Sequence, residues 1–366
     1  MQRTTTDDIT ARERLLRVLS GQLVDRPPVI CSGGMMNAAI IEVAGSAVGA
    51  GAPGGLAGWR PAAPANAELM ADLAGQIQRA TGFENLGVPF CLTVEAEALG
   101  SRVDRGSTLS REPTVVQEAY ATLAAVPDQL PDRVPDDGRI QVVTEAVSVL
   151  AARHRELPVV ANLSGPVSTA ASLVEPVALL KGLRRYPQDP HRLLSQITDF
   201  LVAYAVQLCE AGATVITIGD PTGTGEILGP KLFAEYTVPY LNRLVGGIKA
   251  TGTPAVVHIC GDLSTVRDQI LALGADAIST DAMVNLAALK RDYPQLVTMG
   301  NISTFLLQSG QPSRIQARTR VLVRDGVDII GPACGLSTTT TLTNIRAITE
   351  TVSLAGPALA LSDSLR

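Results

Sequence analysis

The chain has 366 residues, 46% of them apolar and 18% charged, with a formal net charge of −5. That length allows one large domain or two ordinary ones around a substantial core, and the acidic balance gives no reason to expect binding to nucleic acid or an anionic membrane. No stretch approaches the roughly 18 consecutive apolar residues of a membrane span, and aromatic residues make up only 3%, so the core must be built from Ala, Val, Leu and Ile.

In chain order, residues 7–20 predict an amphipathic helix with an acidic first turn, inside an N-terminal helical extension set at 1–26. The start, MQRTTTDDITARERLL, is polar and charged where a secretory leader needs an apolar run. Five cysteines, at 31, 91, 209, 260 and 334, are an odd and scattered count that argues against a disulfide framework. Both features predict a cytoplasmic location. PPVICS (27–32) reads as a first short strand leading into SGGMMN (32–37), and the Gly, Ala and Pro-rich run at 46–66 predicts a flexible loop. From there short apolar runs recur: ENLGVPF (84–90), PVVANL (158–163), TVITIG (214–219), PAVVHIC (254–260), DAISTD (276–281), QLVTMGN (295–301) and VDIIGP (327–332). Amphipathic helical patterns separate them, several ending in Gly. Eight strands alternating with helices predict an α/β (β/α)8 TIM barrel spanning the whole chain as a single domain. The rival, a doubly wound open sheet, lacks a glycine-rich dinucleotide fingerprint after the first strand.

Barrel active sites gather at the carboxyl ends of the strands, where the unusual polar residues fall. Asn162 and Ser164 end the third strand, Asp220 the fourth, His258 and Cys260 the fifth, Asp281 the sixth and Asn301 the seventh; Cys334 follows the eighth in GPACGLS. Side chains alternate faces along a strand, so His258 and Cys260 share one. An imidazole beside a thiolate, with a second Cys from a remote strand, has the ligand types of a catalytic zinc site with one open position. The pattern alone leaves a blander reading open, in which both cysteines are buried small hydrophobes and the histidine is satisfied by a backbone carbonyl. Cys31 and Cys209 read as packing residues. Cys91, beyond the second strand, reads as a pocket-lining residue with nothing nearby to pair with it.

The segments VVHICGD, GADAISTD, TMGNIS and IIGPACGLSTTTTLTNIRAI, with the opening RERLLRVLSGQLVDRPPV, resemble the methylcobamide:coenzyme M methyltransferases, a branch of the uroporphyrinogen decarboxylase-like barrels. The resemblance covers nearly the whole chain. It implies a catalytic Zn2+ held by His258, Cys260 and Cys334, with an acidic residue at the fourth position that corresponds here to Asp281, one methylene shorter than the family's Glu; Asp281 is otherwise a helix cap. It also implies methyl transfer from a methylated corrinoid (a protein-bound methylcobamide) to a thiol acceptor such as coenzyme M. Corrinoid domains present a D-x-H-x-x-G histidine that this chain lacks, since DPHRLL (189–194) has no glycine; the methyl donor is therefore expected to be a separate corrinoid protein. Gly33, Gly34, Met35, Met36 and Asn37, with Asn162, Ser164, Asp220 and Asn301, are the expected substrate-binding residues. The competing expectations are a corrinoid-dependent demethylase, a methylcorrinoid:tetrahydrofolate methyltransferase, and a non-enzymatic module that binds a corrinoid protein. Uroporphyrinogen decarboxylation is disfavoured because CSGGMMN and GVPFCLT lack the arginines and aspartate of those decarboxylases, and a polycarboxylate substrate needs cations.

Overall fold

The computed structural model describes residues 9–31, 40, 42–43, 62–106, 113–131, 133–185 and 188–355. The Gly-Met segment 33–37 and residues 46–61 of the expected loop lie outside the described residues; 62–66 run through a short 3-10 turn into helix α2. Five helices matter below: α1 (Ala11–Leu19), α2 (Ala67–Thr81), α3 (Val94–Ala98), α4 (Gly138–Arg153) and α5 (Pro166–Leu173). The strands are β1 (Leu86–Val88), β2 (Arg102–Asp104), β3 (Thr114–Gln117), β4 (Val159–Ser164), β5 (Val215–Gly219), β6 (Ala255–Ile259), β7 (Ala277–Thr280), β8 (Thr298–Ile302) and β9 (Ile329–Pro332). Among the described residues no helix is long and apolar enough to cross a membrane.

Seven of these strands form one parallel sheet in the order β1-β4-β5-β6-β7-β8-β9. The eighth place is held by the first predicted strand. Val29 pairs in parallel with Ile330, Ile30 N–H and Ile330 N–H donate to Ile330 and Pro28 carbonyls at 2.9 Å, and Glu84 N–H donates to the Val29 carbonyl at 2.8 Å. The short segment around Val29 therefore joins the last strand to the region of the first, and the sheet closes as a barrel. One paired element was not legible in the sequence, the antiparallel hairpin β2–β3. Its strands are three and four residues long and largely exposed, so they carry no alternating buried face.

Inward-facing positions, two apart along each strand, change character from one end of the barrel to the other. At the amino-terminal end Ile30, Val160, Val215, Val256, Ala277, Met299 and Ile329 form one apolar cluster with Leu15, Val18 and Leu19 of α1. The predicted amphipathic helix thus plugs the barrel floor. Its start is capped by Thr10, whose hydroxyl accepts the Glu13 N–H, and each fully buried Leu contributes roughly 1.5–3 kcal/mol. Two residues further up, the same rows present Asn162, Thr217, His258, Ser279 and Asn301. The barrel's apolar floor supports a polar layer beneath the mouth.

A charge network locks the floor to the closing segment. Arg14 donates to both Asp25 oxygens at 2.7 Å and to Glu84 at 2.8 Å. Arg26 also donates to Glu84, and Val29 N–H donates to the same carboxylate at 3.0 Å. Removing Glu84 deprives Arg26 of its carboxylate partner, leaves Arg14 with the Asp25 carboxylate alone and frees the Val29 N–H, so Glu84→Ala is expected to lower stability by about 3 kcal/mol, read by urea unfolding. Burial pushes the Asp25 carboxyl up, but the hydrogen bonds and charge of Arg14, helped by Arg26, outweigh it and hold the group below its ordinary value. A carboxyl depressed in the folded state contributes stability that is complete above its unfolded value, about 3.9, and is lost as pH falls through the folded one. Stability should therefore drop on acidification below about pH 4, and Asp25→Asn should flatten that drop; an unchanged acid limb in the variant contradicts the assignment.

Candidate metal centre

β6 is the run AVVHI, three of its five residues β-branched, buried throughout. Its alternation turns His258 and, one step beyond the strand, Cys260 into the barrel. Cys334 arrives from the turn after β9. The three donor atoms converge: His258 Nε2 lies 3.2 Å from Cys260 Sγ, Cys260 Sγ lies 3.7 Å from Cys334 Sγ, and all three fall within 4.8 Å of one another. His258 is buried, while the two sulfurs are half-buried at the mouth. The other ring nitrogen, Nδ1, is 3.0 Å from Ser279 Oγ, on the β7 residue that pairs with His258 in the ladder.

The sulfurs are too far apart for a disulfide, whose S–S bond is about 2.05 Å. A tetrahedral ion with Zn–S bonds of about 2.3 Å separates two sulfur ligands by roughly 3.8 Å, close to the spacing found. One nitrogen and two sulfurs are also a donor set suited to zinc, and the residues present fit that ion. Two adjacent thiols in a half-buried site do not ionise independently. The contact with Cys260, then the neighbouring His258, pull the Cys334 thiol well below its ordinary value, while the same contact and burial push Cys260 well above it. A divalent cation is what allows both thiols to lose their protons.

The loop behind Cys260 is shaped by Glu226, whose carboxylate accepts the Asp262 N–H at 3.0 Å. Gly261 sits between them at φ +76°, and a Cβ there would overlap the Glu226 carboxylate. Neither Glu226 nor Ser279 was singled out from sequence. Ser279 had a signal: it precedes Asp281 by two, as His258 precedes Cys260.

The remaining predicted site residues serve mainly to hold this end of the barrel. The Asp281 carboxylate accepts the Met283 N–H at 3.2 Å; its charge acts on Cys260, but it stands outside the three-donor cluster. Asn162 donates to the Pro89 carbonyl at 3.3 Å and accepts from Thr217, and Ser164 Oγ donates to the Leu92 carbonyl at 3.2 Å. Asn301 Nδ2 donates to the Asp281 and Val284 carbonyls at 2.7 and 2.8 Å, tying the turn after β7 to the end of β8. Asp220 is fully buried and accepts from the N–H groups of Val167, Ser168 and Gly223 and from the Ser168 hydroxyl. It caps α5, the helix after the preceding strand, and burial pushes its carboxyl up despite those bonds. Cys91 does have a partner: Arg139 of α4 donates to its sulfur at 2.7 Å and to Thr93 and Glu97. The two residues lie 48 apart, a pairing no local pattern reveals.

A model of the uroporphyrinogen decarboxylase (URO-D) family matches residues 10–354. The methylcobamide:CoM methyltransferase MtbA of Methanosarcina mazei is 31% identical over 345 residues, 94% of this chain and 97% of that protein. MtaA of Methanosarcina barkeri, named likewise, is 31% identical over 350 residues, 93% of this chain and 97% of its own. A solved structure, a methyltransferase from Methanosarcina mazei, superposes with a TM-score of 0.83 at 28% identity, covering 94% of this chain and 99% of that one.

The glycine at 261 gives a local test of the site. A left-handed backbone costs a residue with a Cβ about 1–2 kcal/mol, and the exposed Glu226 carboxylate would have to swing off the Asp262 N–H to make room. Gly261→Ala should lower the melting temperature relative to the parent protein; a variant that melts with the parent contradicts this account of the loop.

Proposed function

The chain belongs to the uroporphyrinogen decarboxylase family, on the branch of the methylcobamide:CoM methyltransferases, and we propose that it is a zinc-dependent enzyme that moves a methyl group from a protein-bound methylcobamide to a thiol such as coenzyme M. Its class, methyltransferase, comes with the branch. The observation that carries the finer reading is the convergence of one imidazole and two thiols at the mouth of the barrel, a donor set suited to a metal that handles sulfur.

His258, Cys260 and Cys334 would hold the ion. Zinc in this setting supplies Lewis acidity that favours the anion of an incoming thiol, whose pKa is ordinarily about 8.5, while two thiolate ligands offset the +2 charge and keep the acceptor sulfur electron-rich. Cys260 and Cys334 would hold the ion as thiolates and His258 as the neutral ring. The acceptor's own proton leaves to solvent, its sulfur lone pair forms the new S–CH3 bond, and the methyl–cobalt bond breaks with its electron pair left on cobalt, Co(III) becoming Co(I). The half-buried sulfurs face the open end of the barrel, the side from which a macrocycle carried by a separate corrinoid protein would approach. Asp281, which accepts the Met283 N–H, would supply a fourth ligand in this reading.

Purified protein grown with zinc is expected to carry close to one ion per chain. Cys334→Ala should lose that metal with the barrel still folded by circular dichroism, and lose activity by more than the roughly 10–100-fold that even an outer partner of a metal ligand costs. Incubation with methylcobalamin and a panel of thiols under anaerobic conditions should release cob(I)alamin. Transfer to tetrahydrofolate but to no thiol would replace the acceptor assignment; absence of zinc and of any transfer would overturn the reading.

A further inference from the structure

We propose that Ser279 is the positioning residue that makes His258 a metal ligand, its Oγ accepting the imidazole Nδ1–H so that the Nε2 lone pair is left facing the two sulfurs. The inference rests on the zinc reading above. A neutral imidazole carries one N–H, and which nitrogen holds it is decided by what the other meets. On the ring of His258, Nδ1 lies 3.0 Å from Ser279 Oγ, while Nε2 faces the two sulfurs and lies 3.2 Å from that of Cys260. Only the tautomer protonated at Nδ1 leaves Nε2 free for a cation.

The ladder sets this contact. His258 pairs with Ser279 across β6 and β7, both turn inward, and Ser279 is only 1% exposed, which leaves no room for bulk water to take over. A hydroxyl differs from the carboxylate often found behind a metal-bound histidine. It orients the ring without adding charge to that of the thiolates. Small size matters as well, since the ring and its partner lie on neighbouring strands about 4.8 Å apart.

Ser279→Ala removes the hydroxyl and leaves the strand intact. Zinc affinity, measured by chelator competition, should fall roughly 10–100-fold, while the melting temperature of the metal-free variant stays near that of the metal-free parent. With three histidines in the chain, nitrogen NMR of the metal-free protein, at a pH where the rings are neutral, resolves the tautomer directly. His258 should be protonated at Nδ1 in the parent and mixed in the variant. A Ser279→Ala protein that holds zinc as tightly as the parent, or keeps the same tautomer, overturns the proposal. If the parent itself binds no zinc, the enzymatic reading fails, and the tautomer measurement still decides what Ser279 does to His258.

Discussion

Curvature of one parallel sheet is the constraint on which the mouth of this barrel depends. Cys260 follows β6 and Cys334 follows β9, three strands along the ladder. On a flat sheet, with neighbouring strands about 4.8 Å apart, their positions would be separated by roughly 14 Å. The sulfurs lie 3.7 Å apart. Closure makes up the difference, and closure is held at a short seam: the few residues around Val29, bridged to Ile330 on one side and hydrogen-bonded to Glu84 on the other. The side chain of Asn85 reinforces the seam by exchanging hydrogen bonds with the backbone of Cys31 in both directions. Arg14 carries the plug helix into the same network through Glu84, so floor and seam are secured together.

The polar residues at the mouth divide by whether their bonding capacity is already used. Asp220 accepts four hydrogen bonds at the start of α5 and the turn that follows β5. Asn301 pins the turn after β7. These groups satisfy buried backbone that would otherwise be costly, and they make the loops rigid enough for the donors to stay in place. The thiols of Cys260 and Cys334 are different. Their strongest contacts are to each other and to His258, and neighbouring charges oppose double ionisation. A site whose groups obstruct one another's ionisation is matched to a cation that removes the obstruction.

Away from this centre, Arg139, only 4% exposed, joins Cys91, Thr93 and Glu97. Glu97 reaches on to Arg105 at the end of the β2–β3 hairpin side. This cluster ties α3, α4 and the turn after β1 into one unit. It shows the same economy in another form: a buried guanidinium tolerated because several of its donors find partners.

Local pattern alone determined the alternation of eight apolar runs with helices, the plug helix, and the placement of His258, Cys260 and Cys334 just beyond strand ends, because periodicity of two or of about 3.6 residues is written in neighbouring positions. The family could be read from the same segments. Only the tertiary structure decided which of those strand-end residues meet. Nothing within a few residues of Asp220 says that it caps a helix after the preceding strand, nor that Arg139 finds Cys91. The hairpin β2–β3, short and exposed, has no pattern to read. Ser279 is the intermediate case. Its inward face follows from alternation, but its contact with His258 follows from the register of β6 against β7, and register is a property of two strands packed together rather than of either one.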